Sequence, residues 1–161
     1  MMHFIITGGS GFIGSHLTEQ LLDEGHNVTV VDNLTTGSLK NLPKHPRLKV
    51  LLKNILSCQP EEFTSQVDGV AHLAATASVT ESWLRPLEIH NNNLSAMVAV
   101  IELCQALSIP KLVLASSAAV YGGQTNLPIL EEQESCPFSP YGLQKLVSEQ
   151  YASLFAKQLV E

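Results

Sequence analysis

Three groups of residues have types and spacings suited to chemistry. The first is Thr7-Gly8-Gly9-Ser10-Gly11-Phe12-Ile13-Gly14, whose glycines satisfy two patterns at once, Gly9-x-Gly11-x-x-Gly14 and Gly8-x-x-Gly11-x-x-Gly14. Glycines so placed allow a tight turn and let a pyrophosphate approach the main chain, and the amides opening a helix then hold the anion without a basic side chain. A glycine turn with no ligand is the bland alternative, and the position between an apolar strand and a helix speaks against it. The second is Asp32, which ends the run Val28–Val31 and falls near the ~20-residue spacing at which a carboxylate receives the ribose hydroxyls of NAD. A carboxylate there repels the extra phosphate of NADP, and no arginine stands near it, so NAD is the expected cofactor. The third is Tyr141-Gly142-Leu143-Gln144-Lys145, a phenol and an ammonium one helical turn apart. A phenol is a poor base at neutral pH unless a nearby cation stabilises its anion. Taken alone, a surface pair is the commoner explanation of that spacing. Ser116-Ser117, directly after an apolar run, changes the weighing, because ligands of doubly wound sheets sit beyond strand carboxyl ends.

Positioning these residues takes an alternation of strands and helices, and the chain has one. Strands are expected at Phe4–Thr7, Val28–Val31, Leu48–Leu52, Gly69–Leu73 and Leu112–Ala115. Helices are expected from Phe12 to about Glu24 with Gly25 closing it, briefly near Pro60–Gln66, over about Glu81–Leu107 with Pro86 able to interrupt it, and from Ser139-Pro140 to the chain end. This βαβ pattern predicts an α/β fold, a Rossmann-type doubly wound parallel sheet of five strands in the order 3-2-1-4-5. The segment between Ser116 and Phe138 is too long for a simple connection and is a functional candidate by length alone.

Composition narrows the classes further. Hydrophobic residues make up 45% and charged residues 15% of the 161, as in an ordinary globular domain and unlike a disordered chain. No apolar run reaches the ~18–20 residues of a membrane span, and the first residues lack the basic start of a signal peptide. A net charge of −6 argues against nucleic acid as partner. Cys58, Cys104 and Cys136 share no metal spacing with one another or with the six histidines, so no metal site is expected and a reducing cytoplasm is.

The four segments Thr7–Gly14, His72-Leu73-Ala74-Ala75, Ser116-Ser117-Ala118-Ala119-Val120-Tyr121-Gly122 and Ser139-Pro140-Tyr141-Gly142-Leu143-Gln144-Lys145 together resemble the extended short-chain dehydrogenase/reductases. Within these the chain is most similar to the NAD-dependent epimerase/dehydratase family, over essentially all of its length. The resemblance implies that Tyr141 is the general base, that Lys145 binds the nicotinamide ribose and lowers the tyrosine pKa, and that Ser117 hydrogen-bonds the reacting sugar hydroxyl. It implies cofactor contacts at Gly8, Gly11, Phe12, Ile13, Gly14, Asp32, Asn33, Leu73, Ala74, Ala75, Asn93 and Ser116, with Tyr141 and Lys145 shared. Asn54-Ile55 stands where the family usually has an aspartate beside the adenine, and asparagine keeps an acceptor oxygen. His72 is implied to be a strand-end packing residue.

The activity implied is epimerisation of a nucleotide sugar at C4, a UDP-hexose first, through a 4-keto sugar with transient NADH. The family's dehydratases and decarboxylases carry acids after the strand-five serine, where this chain has Ala118 and Ala119. Another NAD(P)-dependent sugar-nucleotide epimerase, dehydratase or reductase stays open, as does a non-catalytic NAD-binding module. The resemblance further implies a homodimer through the two long helices, with Leu94, Val98, Ile101, Leu146, Tyr151 and Leu154 as apolar positions. Family members run to roughly twice this length, so residues 1–161 are expected to be the NAD-binding domain, to end before a sixth strand and the sugar-nucleotide-binding half, and not to epimerise by themselves.

Overall fold

The computed structural model describes residues 1–63 and 66–158. Its five strands are β1 (His3–Thr7), β2 (Asn27–Asp32), β3 (Leu48–Leu52), β4 (Gly69–His72) and β5 (Leu112–Leu114). They pair in parallel in the order β3-β2-β1-β4-β5, as the alternation predicts. The chain divides into two compact units, one of Met1–Ala74 with Ala99–Ala115, the other of Ala75–Val98 with Ser116–Glu161.

The first unit holds the whole sheet. Thr7 pairs with Val31 and His72, Asp32 with Leu52, and His72 with Leu114, so the carboxyl ends of all five strands lie along one edge. Ile5 and Ile6 are both fully buried, as expected of a central parallel strand covered on both faces. Helix α1 (Phe12–Asp23) turns Gly14, Ser15, Thr18 and Leu22 inward, a three-to-four-residue spacing, and Leu22 joins Ile6, Val28 and Val30 in the core. The helix closes with Gly25 N–H on Leu22 O at 3.0 Å and His26 N–H on Leu21 O at 2.9 Å, which satisfies its last carbonyls.

The second unit is helical. The long helix expected over about Glu81–Leu107 breaks at Pro86, as that proline allowed, and further along as well, into a series: α2 (Val79–Leu84), α3 (Pro86–His90), a π-helical turn over Asn91–Ser95, and α4 (Ala96–Ala106), which continues into the first unit. Pro86 supplies no N–H and disfavours helical backbone at Arg85, which sits at φ −134 and ψ 60 and so ends α2. The expected helix near Pro60–Gln66 is also corrected: Pro60–Glu62 is one 3-10 turn, Phe63 has already left helical backbone, and Thr64 and Ser65 lie outside the described residues. Helix α5 (Pro140–Gln158) starts where expected, with Ser139 Oγ accepting the Gly142 N–H at 3.0 Å; Leu159–Glu161 lie outside the described residues. Ile101, expected on an outer apolar face, is 3% exposed and belongs to the core, because its side of α4 is packed within the chain. No described helix is long and apolar enough to cross a membrane.

Candidate functional site

In the first unit the loop from Gly8 to Gly11 carries β1 into α1. Gly8 has φ +70, and a Cβ there would stand 2.8 Å from the Ala74 nitrogen; one on Gly14 would stand 2.3 Å from the Gly8 oxygen. The turn from β1 into α1 therefore has room only for glycine at these two points. Gly11 is the N-cap of α1 and offers no side-chain acceptor to the first-turn amides, and the Phe12 and Ile13 side chains are largely exposed. This is the donor set that a pyrophosphate takes: amides at a helix start, aided by the dipole.

Asp32 lies at the carboxyl end of β2, beside that loop. Its Oδ2 accepts the Ser10 N–H at 2.9 Å and its Oδ1 the Leu34 N–H at 2.8 Å. An ionised carboxylate has about four acceptor directions, so one remains on each oxygen, matching the two hydroxyls of a ribose. Asn33 is exposed, with its Oδ1 taking the Thr35 N–H and hydroxyl. Asn54 spends its Oδ1 on the Leu56 N–H, capping a 3-10 turn that buries Ile55. One of the two acceptor directions of that oxygen is thus engaged locally.

Thr7 is a member of the site that its sequence did not single out. Its Oγ1 accepts the Leu73 and Ala74 N–H groups, each at 3.2 Å, and lies 2.7 Å from His72 Nδ1. With both lone pairs engaged, the hydroxyl proton is directed at Nδ1. His72 is buried, in keeping with its expected packing role, and Leu73 and Ala74 are tied to the end of β1.

The second unit is built from side chains. Tyr141 and Lys145 occupy successive turns of α5, each 7% exposed, and burial pushes the lysine pKa down from its ordinary value. Between them Gln144, also buried, accepts at Oε1 the Asn93 amide at 3.1 Å. Asn93 takes the Thr76 N–H at 2.8 Å on its Oδ1 and donates to the Thr76 carbonyl at 3.3 Å. A chain of buried amides therefore joins the segment after Ala75, the π-helical turn and the start of α5. π-helical turns of this kind often occur at functional positions because they reaim one side chain. Ser117 opens the 3-10 turn Ala118–Val120 with its Oγ on the Ala119 N–H at 3.2 Å, and Ser116 Oγ donates to Glu149 Oε1 on α5. Gln144, Thr76 and Glu149 were not singled out by sequence; only Gln144 carried a signal, its place inside the Tyr-Lys spacing. Cys104 is inert by burial, its thiol pushed up to about 11, and Cys58 is raised for the same reason.

The model of the NAD dependent epimerase/dehydratase family matches residues 4–159. The chain is 38% identical to a UDP-glucose 4-epimerase of Lacticaseibacillus casei, covering 92% of this chain and 45% of that protein. It is 36% identical to a putative UDP-glucose 4-epimerase of Methanocaldococcus jannaschii, covering 94% and 50%. Among solved structures it is similar to the UDP-N-acetylglucosamine 4-epimerase from Methanobrevibacter ruminantium M1 in complex with UDP-N-acetylmuramic acid, at 37% identity and TM-score 0.91, over 97% of this chain and 51% of that one. It is similar also to the UDP-glucose-4-epimerase from Stenotrophomonas maltophila with bound NAD and formylated UDP-arabinopyranose, at 32% identity and TM-score 0.89, over 98% and 49%. The chain spans about half the length of the curated relatives it matches.

Proposed function

The chain belongs to the NAD dependent epimerase/dehydratase family, and on that premise we propose that it is the NAD-holding part of a nucleotide-sugar 4-epimerase acting on a UDP-hexose. The observation that carries this reading is the buried Tyr141 and Lys145 pair on α5, a phenol and a cation one turn apart. A sensor that only bound the dinucleotide has no use for such a pair.

The residues fit NAD. The first-turn amides after Gly11 hold the pyrophosphate, Asp32 takes the adenosine ribose hydroxyls, and Lys145 takes the nicotinamide ribose. NAD when bound supplies an acceptor, and later a donor, for the hydrogen at C4 of the sugar. Tyr141 takes the proton of the 4-hydroxyl as that carbon is oxidised to the ketone, and gives it back when the ketone is reduced from its other face. Ser117 donates to the reacting oxygen and fixes it for the transfer. Lys145 stabilises the phenolate by charge, so one ammonium serves both ribose and base. Ala118 and Ala119 exchange no protons, which weighs against elimination of a hydroxyl. The test is to supply the protein at its natural length with NAD and UDP-galactose. Formation of UDP-glucose supports the reading; no conversion by protein carrying bound NAD overturns it.

The reading extends to a homodimer. Trp83, Leu84 and Leu87 are 62–74% exposed on α2 and α3, and Leu143, Tyr151 and Leu154 are 38–63% exposed on α5. Large apolar side chains clustered on helices mark an association surface. A doubled mass by light scattering at tens of micromolar supports this, and a monomer at that concentration opposes it. A cytoplasmic location fits the free Cys58, Cys104 and Cys136.

A further inference from the structure

We infer that Asn41 is a specificity-determining positioning residue, which acts through Ser10 to hold Asp32 against the glycine loop and so sets the choice of NAD over NADP. The inference rests on the NAD reading above. Ser10 is fully buried and its main chain is gripped at both ends. Its N–H donates to Asp32 Oδ2 at 2.9 Å, while its carbonyl accepts the Ser38 N–H at 3.0 Å and the Asn41 Nδ2 amide at 2.9 Å. Gly37 lies so close that a Cβ on it would stand 2.9 Å from the Ser10 carbonyl carbon.

The segment from Asp32 to Asn41 is therefore a strap that closes on the glycine loop, and Ser10 is where it fastens. The strap carries strain, because Leu34 holds φ 59 while donating to Asp32 Oδ1. A non-glycine residue stays in the left-handed region only when its surroundings over-determine it. Ser38 caps the 3-10 turn Leu39–Asn41 through its Oγ on the Lys40 N–H at 3.3 Å, which places the Asn41 amide over the Ser10 carbonyl.

The consequence is chemical. Anion holding by the first-turn amides does not need the strap. Reading two vicinal hydroxyls does, because the two remaining acceptor directions of Asp32 must stay fixed relative to the pyrophosphate. A carboxylate free to swing reads a diol less well and repels a 2′-phosphate less well. Removing the Asn41 amide leaves the Ser38 bond in place, so the strap loosens without detaching.

The experiment measures binding of NAD, NADP, ADP and 2′-deoxy-ADP by calorimetry to the 161-residue chain and to its Asn41→Ala, Asn41→Asp and Gly37→Ala variants, with Tm recorded for each. For Asn41→Ala, NAD weakens about three- to tenfold, as weakening of one hydrogen bond between a ribose hydroxyl and a displaced Asp32 gives. NADP changes by less than about twofold, and the preference for ADP over its deoxy form shrinks alongside. Asn41→Asp, which sets an acceptor against the Ser10 carbonyl, and Gly37→Ala, which pushes the strap from its other side, narrow the same two ratios. Folded variants in which NAD and NADP weaken equally, or in which both ratios stay at the wild-type value, overturn the inference. If the wild-type chain binds neither dinucleotide, the NAD reading itself fails, and that is visible without any variant.

Discussion

The two compact units hold different kinds of site. In the first, the proposed working groups are main-chain amides and one carboxylate, fixed by strand ends and by two glycines that tolerate no Cβ. In the second the proposed groups are side chains, Tyr141 and Lys145 on α5 and Ser117 ahead of a 3-10 turn, beside an interior chain of amides through Gln144, Asn93 and Thr76. A backbone cradle is broken by adding atoms, whereas a side-chain site is broken by removing them. The two regions should therefore fail differently, and ligands that use only the adenosine side of the dinucleotide separate the failures.

The largest effect is expected in the second region. Tyr141→Phe removes one oxygen, and in protein that turns over UDP-galactose it should lower kcat by about 10²–10⁴-fold, the usual worth of positioned proton transfer. NAD affinity should stay within about threefold, since the phenol ring still fills its site. Turnover near normal would take the base role from Tyr141. Next is the cradle itself. Gly14→Ala would put a Cβ 2.3 Å from the Gly8 oxygen, and strain of about 1–3 kcal/mol should weaken NAD and ADP alike by about ten- to a hundredfold. If ADP binding is unaffected, the amides are not where the pyrophosphate sits.

Lys145→Met crosses the comparison. NAD should weaken by about tenfold or more through loss of a charged hydrogen bond, with ADP unchanged. Burial holds the Lys145 pKa below the ordinary 10.5, so between those two values the unfolded chain binds a proton that the folded chain does not. Stability from this group accordingly rises with pH across that window, and the penalty is complete below the folded pKa. A urea-denaturation series at alkaline pH should show that slope in wild type and lose it in the variant; an unchanged slope would assign it to another group. The smallest effect is structural. Asn93→Ala leaves the Gln144 Oε1 and the Thr76 N–H without their partner and should cost about 1–3 kcal/mol of stability, with ADP affinity unchanged.

Legibility in the sequence follows the same division. The sheet could be read because strands buried on both faces are unbroken apolar runs, and the glycine loop because only backbone geometry demands that spacing. Asp32 stood out as a charge ending such a run. Over residues 79–106 the break at Pro86 could be read, but the π turn could not, since nothing local in Asn91-Asn92-Asn93 states that Asn93 will meet Thr76 and Gln144. The contacts of Ser10 with Ser38 and Asn41 are equally silent, because nothing local in a polar loop states which carbonyl it will close upon. Pro60 marked a helix start correctly but not its length, which ended after one turn.

The choice of NAD proposed for this chain rests on a cradle of amides and one carboxylate, Asp32. Its most direct test is calorimetric titration of the wild-type chain with NAD and with NADP under identical salt. One NAD should bind per chain, at least about tenfold more tightly than NADP, because the Asp32 carboxylate accepts a ribose diol and repels a phosphate. Equal affinity for the two, or a preference for NADP, would contradict it.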